Sequence, residues 1–148
     1  MYKRQYYETV CGGQGAGENQ DGCDAIQTNM TNSRSTDPEI FEEEYPIILA
    51  EISLVGKKQN NGKWKGGRGL KKIFVICDNM NCSLLSNNRK EPPFGLSGGE
   101  PGKLGSNAVI RNNVLKELEG NCQIQLSIGD KLAVITPSGG GYGEKNNL

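Results

Sequence analysis

Two glycine-rich strings near the two ends of the chain limit what it can fold into more than any other feature. They cover residues 12–17 and 139–143, in a chain that has 21 glycines among 148 residues. Glycine has no Cβ, so it is used where the backbone takes positive φ or approaches another group closely. Tyr, Arg and Pro residues stand near these glycines, which favours ordered loops, and the alternative is a pair of flexible linkers.

The composition predicts one domain, or a piece of a larger protein, that buries part of its apolar surface against a partner. Hydrophobic residues make up only 34% of the chain, which is lean for an independent core. The 17 basic residues balance the 17 acidic ones, so charge does not direct the chain to nucleic acid or to anionic lipid. No apolar run is long enough to span a bilayer. We therefore expect neither nucleic acid nor a membrane as a partner.

The absence of histidine and the spacing of the cysteines limit the catalytic and metal-binding chemistry that this chain can perform. The sequence has no histidine, which removes the usual general base near neutral pH and the commonest metal ligand. Its five cysteines lack the C-x-x-C spacing of a zinc site, so we expect no metal in this chain. An odd number of cysteines without a signal peptide favours reduced thiols and a cytoplasmic location.

The hydrophobic pattern predicts a mainly β fold of the α+β class, with antiparallel strands, one short helix and long Gly/Pro-rich loops. A capping box of Thr36 and Glu39, with Thr36 as N-cap, predicts the start of the helix. A hairpin is expected across Gly129 and Asp130. Strands are predicted at residues 48–55, 70–77, 82–86, 123–126 and 131–136, and residues 87–107 are predicted to form a long loop.

Backbone and guanidinium donors are the candidates for binding a substrate or an anion. The first glycine string can present N–H groups to an anion, and the alternative is a tight ordered loop. Arg34 can hold a carboxylate or phosphate through two parallel hydrogen bonds, or it can pair with an acidic residue and fix its own loop. Arg68 and Arg89 have the same two possibilities. The candidate residues are Gly13, Gly15, Gly17, Thr31, Asn32 and Arg34.

Other polar residues are weaker candidates, and no catalytic residue can be named. Asp21 and Asp24 could bind a cation or act as a base, although carboxylates in such loops are more typical of turns. Lys71 and Lys72 are predicted to be solvated. No P-loop lysine follows the first glycine string, so the chain is not expected to bind a nucleotide by itself.

The long loop at residues 87–107 is the predicted contact surface. Phe94 and Leu96 are apolar side chains on a segment outside the predicted core, flanked by Pro93 and glycines. Ordering such a loop has an entropic cost, so we expect a partner to stabilise it. The predicted interface residues are Pro93, Phe94 and Leu96.

A series of short motifs, in order along the chain, resembles the hydantoinase B/oxoprolinase family. The resemblance is to the carboxy-terminal portion of the longer B-type subunit, with residues 1–35 as a Gly-rich loop region, 36–45 as the short helix and 46–148 as the β-rich part. One departure is Asn29, where the family typically has histidine. The motifs are Tyr7-Glu8-Thr9, Gly12-Gly13-Gln14-Gly15-Ala16-Gly17, Thr31-Asn32-Ser33-Arg34, Gly66-Gly67-Arg68-Gly69, Pro92-Pro93-Phe94-Gly95-Leu96, Gly98-Gly99-Glu100-Pro101-Gly102 and Thr136-Pro137-Ser138-Gly139-Gly140-Gly141-Tyr142-Gly143.

The resemblance implies part of an ATP-dependent hydrolase that opens cyclic amides such as hydantoins or 5-oxoproline. It implies ATP and a divalent metal for the complete enzyme but no cofactor in this chain. The implied partners are the remainder of a B-type subunit and an ATP-binding A-type subunit, in an oligomer. This chain would contribute subunit contacts and one wall of the active site, and alone it is expected to be inactive. The alternative is a non-catalytic interaction module or a degenerate paralogue of the family.

Overall fold

The computed structural model describes residues 5–28, 31 and 33–145 and confirms a mainly antiparallel β fold with one short helix. The helix precedes all of the strands, and the glycine-rich strings lie outside the regular elements. The elements are α1 (Pro38–Glu44), β1 (Ile47–Leu54), β2 (Leu70–Ile76), β3 (Met80–Leu85), β4 (Ser106–Arg111), β5 (Val114–Leu118), β6 (Asn121–Leu126) and β7 (Lys131–Ile135).

The strands form two sheets that enclose the core. A five-stranded sheet has the order β1-β2-β7-β4-β5, and β3 pairs with β6 in a second, two-stranded sheet. Because side chains alternate along a strand, one face of the larger sheet points to the smaller sheet. Between the two sheets the buried core residues are Ile76, Val109, Leu126, Leu132 and Val134.

The helix lies where the capping box predicts it, but its cap is different. Asp37 is the N-cap, and its carboxylate accepts a hydrogen bond from the N–H of Glu39 at 3.0 Å. The prediction of Thr36 as N-cap was therefore wrong by one residue. Asp is as good a cap as Thr, and Pro38 then occupies the first helical position, which needs no N–H donor. The buried side chain of α1, Phe41, packs against two aromatic rings, with its ring centroid 4.6 Å from that of Tyr6 in a tilted arrangement and 6.1 Å from that of Phe74 edge-on.

The expected hairpin across Gly129 and Asp130 was wrong. Strand β6 pairs with β3 and β7 pairs with β2 and β4, so this turn carries the chain from one sheet to the other. A hairpin that was not predicted from the sequence joins β4 to β5. Its two turn residues, Asn112 and Asn113, have φ values of 50° and 62°, which asparagine tolerates better than most residues.

Asp130 holds this sheet-to-sheet turn and makes the fold sensitive to acid. Its buried carboxylate accepts three hydrogen bonds from the Arg111 guanidinium, at 2.9, 3.2 and 2.6 Å, and one from the N–H of Ser127 at 2.8 Å. The hydrogen bond from Arg111, followed by that from Ser127, lowers the pKa of Asp130 below its usual value.

A carboxyl with a lowered pKa in the fold stabilises it above the unfolded-state pKa, about 3.9, and this contribution is lost as the pH falls through the folded pKa. We expect the stability of the wild type to fall as the pH drops from about 5 to about 2, a range that extends roughly one unit or more to either side of that pKa. Replacing Asp130→Asn should flatten this dependence, because the 130 side chain no longer titrates. Urea midpoints measured across that pH range test the prediction, and identical slopes for the two proteins would contradict it.

Candidate functional site

The two glycine-rich strings meet in the folded chain and pack backbone against backbone. A Cβ built on Gly13 would lie 2.0 Å from the carbonyl oxygen of Gly67, and one on Gly139 would lie 2.0 Å from that of Gln14. Both distances are far below van der Waals contact, so only glycine fits at these positions. We call this region, formed by residues 12–17, 21–25, 61–69 and 137–143, the glycine crossing. The ordered-loop interpretation of the glycine strings is therefore confirmed, and the linker interpretation was wrong.

The sequence predicts that N–H groups of the first glycine string could bind an anion. In the fold, two of these N–H groups already donate to backbone carbonyls. Gly13 donates its N–H to the carbonyl of Pro137 at 3.0 Å, and Gly17 donates to that of Gln20 at 3.0 Å. Gly15 is less tightly packed than Gly13: it is exposed, and a Cβ built there would lie 3.8 Å from its nearest neighbouring atom. Substrate or anion binding by Gly13, Gly15 and Gly17 stays a prediction, while their role in packing is visible.

A buried ion pair, which was not predicted from the sequence, lies beside the glycine crossing. The Lys72 ammonium contacts the Glu8 carboxylate, and the two side chains are only 3% and 9% exposed. The hydroxyl of Ser35 donates to Glu8 at 2.9 Å and lies 2.9 Å from the Lys72 nitrogen. The prediction that Lys72 is solvated was therefore wrong. Its neighbour Lys71 points to the other face of β2 and pairs with Glu51 in a half-exposed position.

Two further titratable side chains surround this pair. Burial is the main cause that raises the pKa of the Cys11 thiol, and the Glu8 charge adds to it. Burial also raises the pKa of the Tyr6 phenol. Both groups are therefore neutral at pH 7, since their ordinary pKa values already lie above it. The arrangement fixes a network of charges and hydrogen bonds, and a protonated Cys11 is not an activated nucleophile.

Arg34 and Thr31 are exposed on the segment that leads into this network. Arg34 directly precedes Ser35, so the Glu8–Lys72 pair holds the backbone from which its guanidinium extends. Asn32 and Asn29 lie outside the described residues. Substrate or anion binding by Thr31, Asn32 and Arg34 therefore stays a prediction.

The remaining arginine and aspartate candidates hold loops together. The Arg68 guanidinium donates to Asp24 at 3.0 and 2.7 Å, and this interaction lowers the pKa of the Asp24 carboxyl. Asp21 accepts a 2.7 Å hydrogen bond from the N–H of Lys65, the main cause of its lowered pKa. Arg89 likewise donates to the side-chain carbonyl of Asn107 at 3.0 Å. Their structural role matches the alternative in which these charges fix loops.

The predicted contact loop adjoins the glycine crossing. Phe94 is 77% exposed and Leu96 is 50% exposed, while Pro93 is half-buried. A Cβ on Gly140 would lie 1.9 Å from the Phe94 carbonyl oxygen, so the loop backbone is packed tightly against the second glycine string. The second glycine string thus holds the backbone of the loop in place, while the side chains of Phe94 and Leu96 extend into solvent. This is the arrangement that a contact surface requires.

Neither a metal centre nor a membrane helix is found in the described part of the chain. Among residues 5–28, 31 and 33–145, no three acidic or cysteine side chains are grouped so that they could hold a metal ion. No helix within the same residues is long and apolar enough to cross a membrane.

Comparison with known proteins places nearly the whole chain in one group of relatives. The Hydantoinase B/oxoprolinase family matches residues 2–145. The chain is 40% identical over 144 residues to a 5-oxoprolinase of Dictyostelium discoideum, covering 97% of this chain and 11% of that protein. It is also 40% identical over 139 residues to 5-oxoprolinase 1 of Arabidopsis thaliana, covering 93% of this chain and 11% of that protein. The chain therefore spans about one-ninth of the length of these relatives.

Solved structures show the same fold within longer chains. An ATP-dependent caprolactamase from Pseudomonas jessenii superposes with a TM-score of 0.75 at 20% identity, over 91% of this chain and 25% of that one. An acetone carboxylase, solved without nucleotide in work on its ATP-dependent carboxylation, gives a TM-score of 0.72 at 17% identity, over 90% and 22% of the two chains. At these identities the likeness concerns the fold alone.

Proposed function

The chain belongs to the hydantoinase B/oxoprolinase family, and from this we propose that it is part of an ATP-dependent hydrolase of cyclic amides of the hydantoin or 5-oxoproline type. The observation that carries the proposal is the match of nearly the whole chain, at 40% identity, to 5-oxoprolinases. Within such an enzyme the chain contributes subunit contacts and a wall of the active site. It corresponds to the carboxy-terminal portion of a B-type subunit.

The geometry supports a contact and wall-forming role. The glycine crossing fixes several loops at backbone distance, so the surface that they form is rigid without large side chains. On this surface Phe94 and Leu96 extend into solvent. Arg34 stands exposed on a segment anchored by the buried Glu8–Lys72 pair and is available for a carboxylate or phosphate group. We assign subunit association to the first two residues and anion binding to Arg34.

ATP and the divalent metal belong, in this proposal, to other parts of the complete enzyme. The described residues do not group the carboxylates that a divalent cation needs, and the first glycine string has no P-loop lysine. ATP would supply the phosphoryl group that turns an amide carbonyl oxygen into a leaving group. The A-type subunit would bind it, and this chain would assemble with that subunit and with the remainder of the B-type subunit.

Complementation tests the proposal. The D. discoideum 5-oxoprolinase, produced without its matching segment, is mixed with this chain or with its own segment, and ATP-dependent opening of 5-oxoproline is followed. We expect both segments to restore turnover and this chain alone to show none. If the relative's own segment restores activity and this chain binds without doing so, the alternative of a non-catalytic module or degenerate paralogue holds instead.

Two substitutions in the restored enzyme distinguish residues needed for subunit association from residues needed for substrate binding. Phe94→Ala should weaken association about tenfold or more, since it removes an aromatic anchor, while the isolated chain keeps its stability because the side chain is exposed. Arg34→Ala should leave association intact and lower kcat/KM at least about tenfold. Leu85→Ala, which changes an 86% exposed residue outside the contact loop, serves as the control. Wild-type behaviour of both variants would show that the two residues are ordinary surface.

A further inference from the structure

The five-stranded sheet has a second face, turned away from the core, that is apolar in its centre. The strand register brings residues of all five strands into line across this face. One row runs Ile48, Val75, Lys131, Ile110, Leu115, and the next runs Glu51, Ile73, Ala133, Ala108, Glu117. Ile135 follows in a third row, beside Lys71 and Ser106. We call the apolar members of these rows the outer sheet face.

The side chains at the centre of this face are more shielded than those at its edges: Ala108 is 9% exposed, and Ile73, Val75, Ala133 and Ile110 are half-buried. None of its residues belongs to the hydrophobic cluster between the sheets, within residues 5–28, 31 and 33–145. The helix packs on the opposite side, where Phe41 stacks on Phe74. At the two edges of the sheet the apolar side chains are open to solvent, with Ile48 46% exposed and Leu115 59% exposed.

The residue pattern of the central strands is that of a sheet covered on both sides. An antiparallel sheet with one face in water alternates apolar and polar residues. Here the runs 73–76, 108–110 and 132–135 are continuously apolar. Among the charged residues of the outer rows, Lys71 pairs with Glu51 at 2.9 Å, and Glu117 lies on the edge strand β5. Lys131 stands at the first residue of β7, at the end of the sheet, between Val75 and Ile110. An apolar patch with a polar rim is typical of a surface that binds another protein element.

The relatives are much longer than this chain, which favours a neighbouring part of the same protein as the occupant. In the 5-oxoprolinases this segment is 11% of one continuous protein, and in the caprolactamase it is 25% of the chain. A covalently attached neighbour has a far higher effective concentration than a second copy of the chain. We infer that the outer sheet face docks an apolar element of the remainder of the B-type subunit. The inference rests on the proposed function for this choice of partner, and it adds a second contact surface distinct from the loop with Phe94.

Matched lysine substitutions on exposed leucines test the inference. Leu115→Lys places a charge on the outer sheet face, and Leu85→Lys places the same charge on the other sheet at a residue that is 86% exposed. Both residues are exposed strand leucines, so neither substitution should change the urea midpoint of the isolated chain. Ile48→Lys, at the opposite edge of the face, provides a second variant should Leu115→Lys fail to fold.

The wild type and the three variants are each mixed with D. discoideum 5-oxoprolinase that lacks the segment matching this chain, with no substrate or ATP present. Sedimentation measures how tightly each protein binds. We expect the wild type and Leu85→Lys to bind alike, and Leu115→Lys and Ile48→Lys to bind at least about tenfold more weakly. Equal binding by all four proteins overturns the inference. So does dimerisation of the wild type that Leu115→Lys abolishes, since the occupant would then be a second copy. Binding in this experiment, without turnover in the ATP-dependent complementation assay, would overturn the proposed function and leave this inference standing.

Discussion

Replacing Gly13→Ala is expected to destabilise the chain by more than about 4 kcal/mol or to prevent folding, an effect reserved for a few severe mechanisms. The new Cβ would lie 2.0 Å from the carbonyl oxygen of Gly67 and 2.9 Å from the carbonyl carbon of Arg68. These are backbone atoms, so no side-chain rotation can relieve the overlap. Separating the strings would also break the hydrogen bond from Gly13 to Pro137. Urea denaturation followed by the fluorescence of the single tryptophan, Trp64, measures the loss.

Gly15→Ala in the same loop is the matched control. The nearest atom to a Cβ there is 3.8 Å away, and the residue does not have a left-handed φ. We expect a change within about 1 kcal/mol, in the stabilising direction, because alanine restricts the unfolded chain. Equal effects of the two substitutions would show that the backbone packing at the crossing is not what makes Gly13 necessary.

Replacing Lys72→Met is expected to cost about 3–5 kcal/mol, because it leaves the buried Glu8 carboxylate without its cation. Glu8→Gln should be similarly costly, since it leaves the ammonium buried and unpaired. The double variant should lose clearly less than the two single losses added together, because no uncompensated charge then remains. Urea denaturation of the four proteins gives this double-mutant cycle.

Lys71→Met is the neighbouring control. Lys71 and Glu51 are 35% and 38% exposed, so water screens their ion pair. The expected change is below about 1 kcal/mol. If Lys72→Met and Lys71→Met cost the same, or if the two losses in the cycle simply add, the buried pair does not organise the site in the way described here.

Local patterns account for the parts of the fold that were predicted correctly. Strands β1, β2 and β7 are continuous apolar or alternating runs, and the sequence predicts each within two residues of its observed ends. The start of α1 follows from capping chemistry that extends over only four residues. Strand β5 was missed because it is an exposed edge strand with little apolar pattern. Strand β4 was missed because its apolar run, residues 108–110, is short and directly follows the predicted loop of residues 87–107. The Asn112-Asn113 turn between them was the available signal.

Local sequence patterns could not predict which residues far apart in the chain come into contact in the fold. Glu8 and Lys72 are 64 positions apart, and neither has a neighbour in sequence that marks it as buried. Because lysine is mostly exposed in proteins, the Lys71-Lys72 pair favoured solvent for both side chains. The strand register decided otherwise, since it places Lys72 next to Val134 on the core face and Lys71 next to Ile135 on the outer face.

By itself, the sequence determined the mainly β class, the family and the positions where glycine is concentrated. These properties depend on residue type and on spacing along the chain, which can be read without coordinates. The tertiary structure alone decided which glycines admit no Cβ, which lysine is buried, and which apolar side chains remain exposed. Each of these depends on backbone segments that are far apart in sequence and lie within a few ångströms in the fold. The free energy of such contacts comes from close packing and desolvation, and neither is encoded in any short stretch of residues.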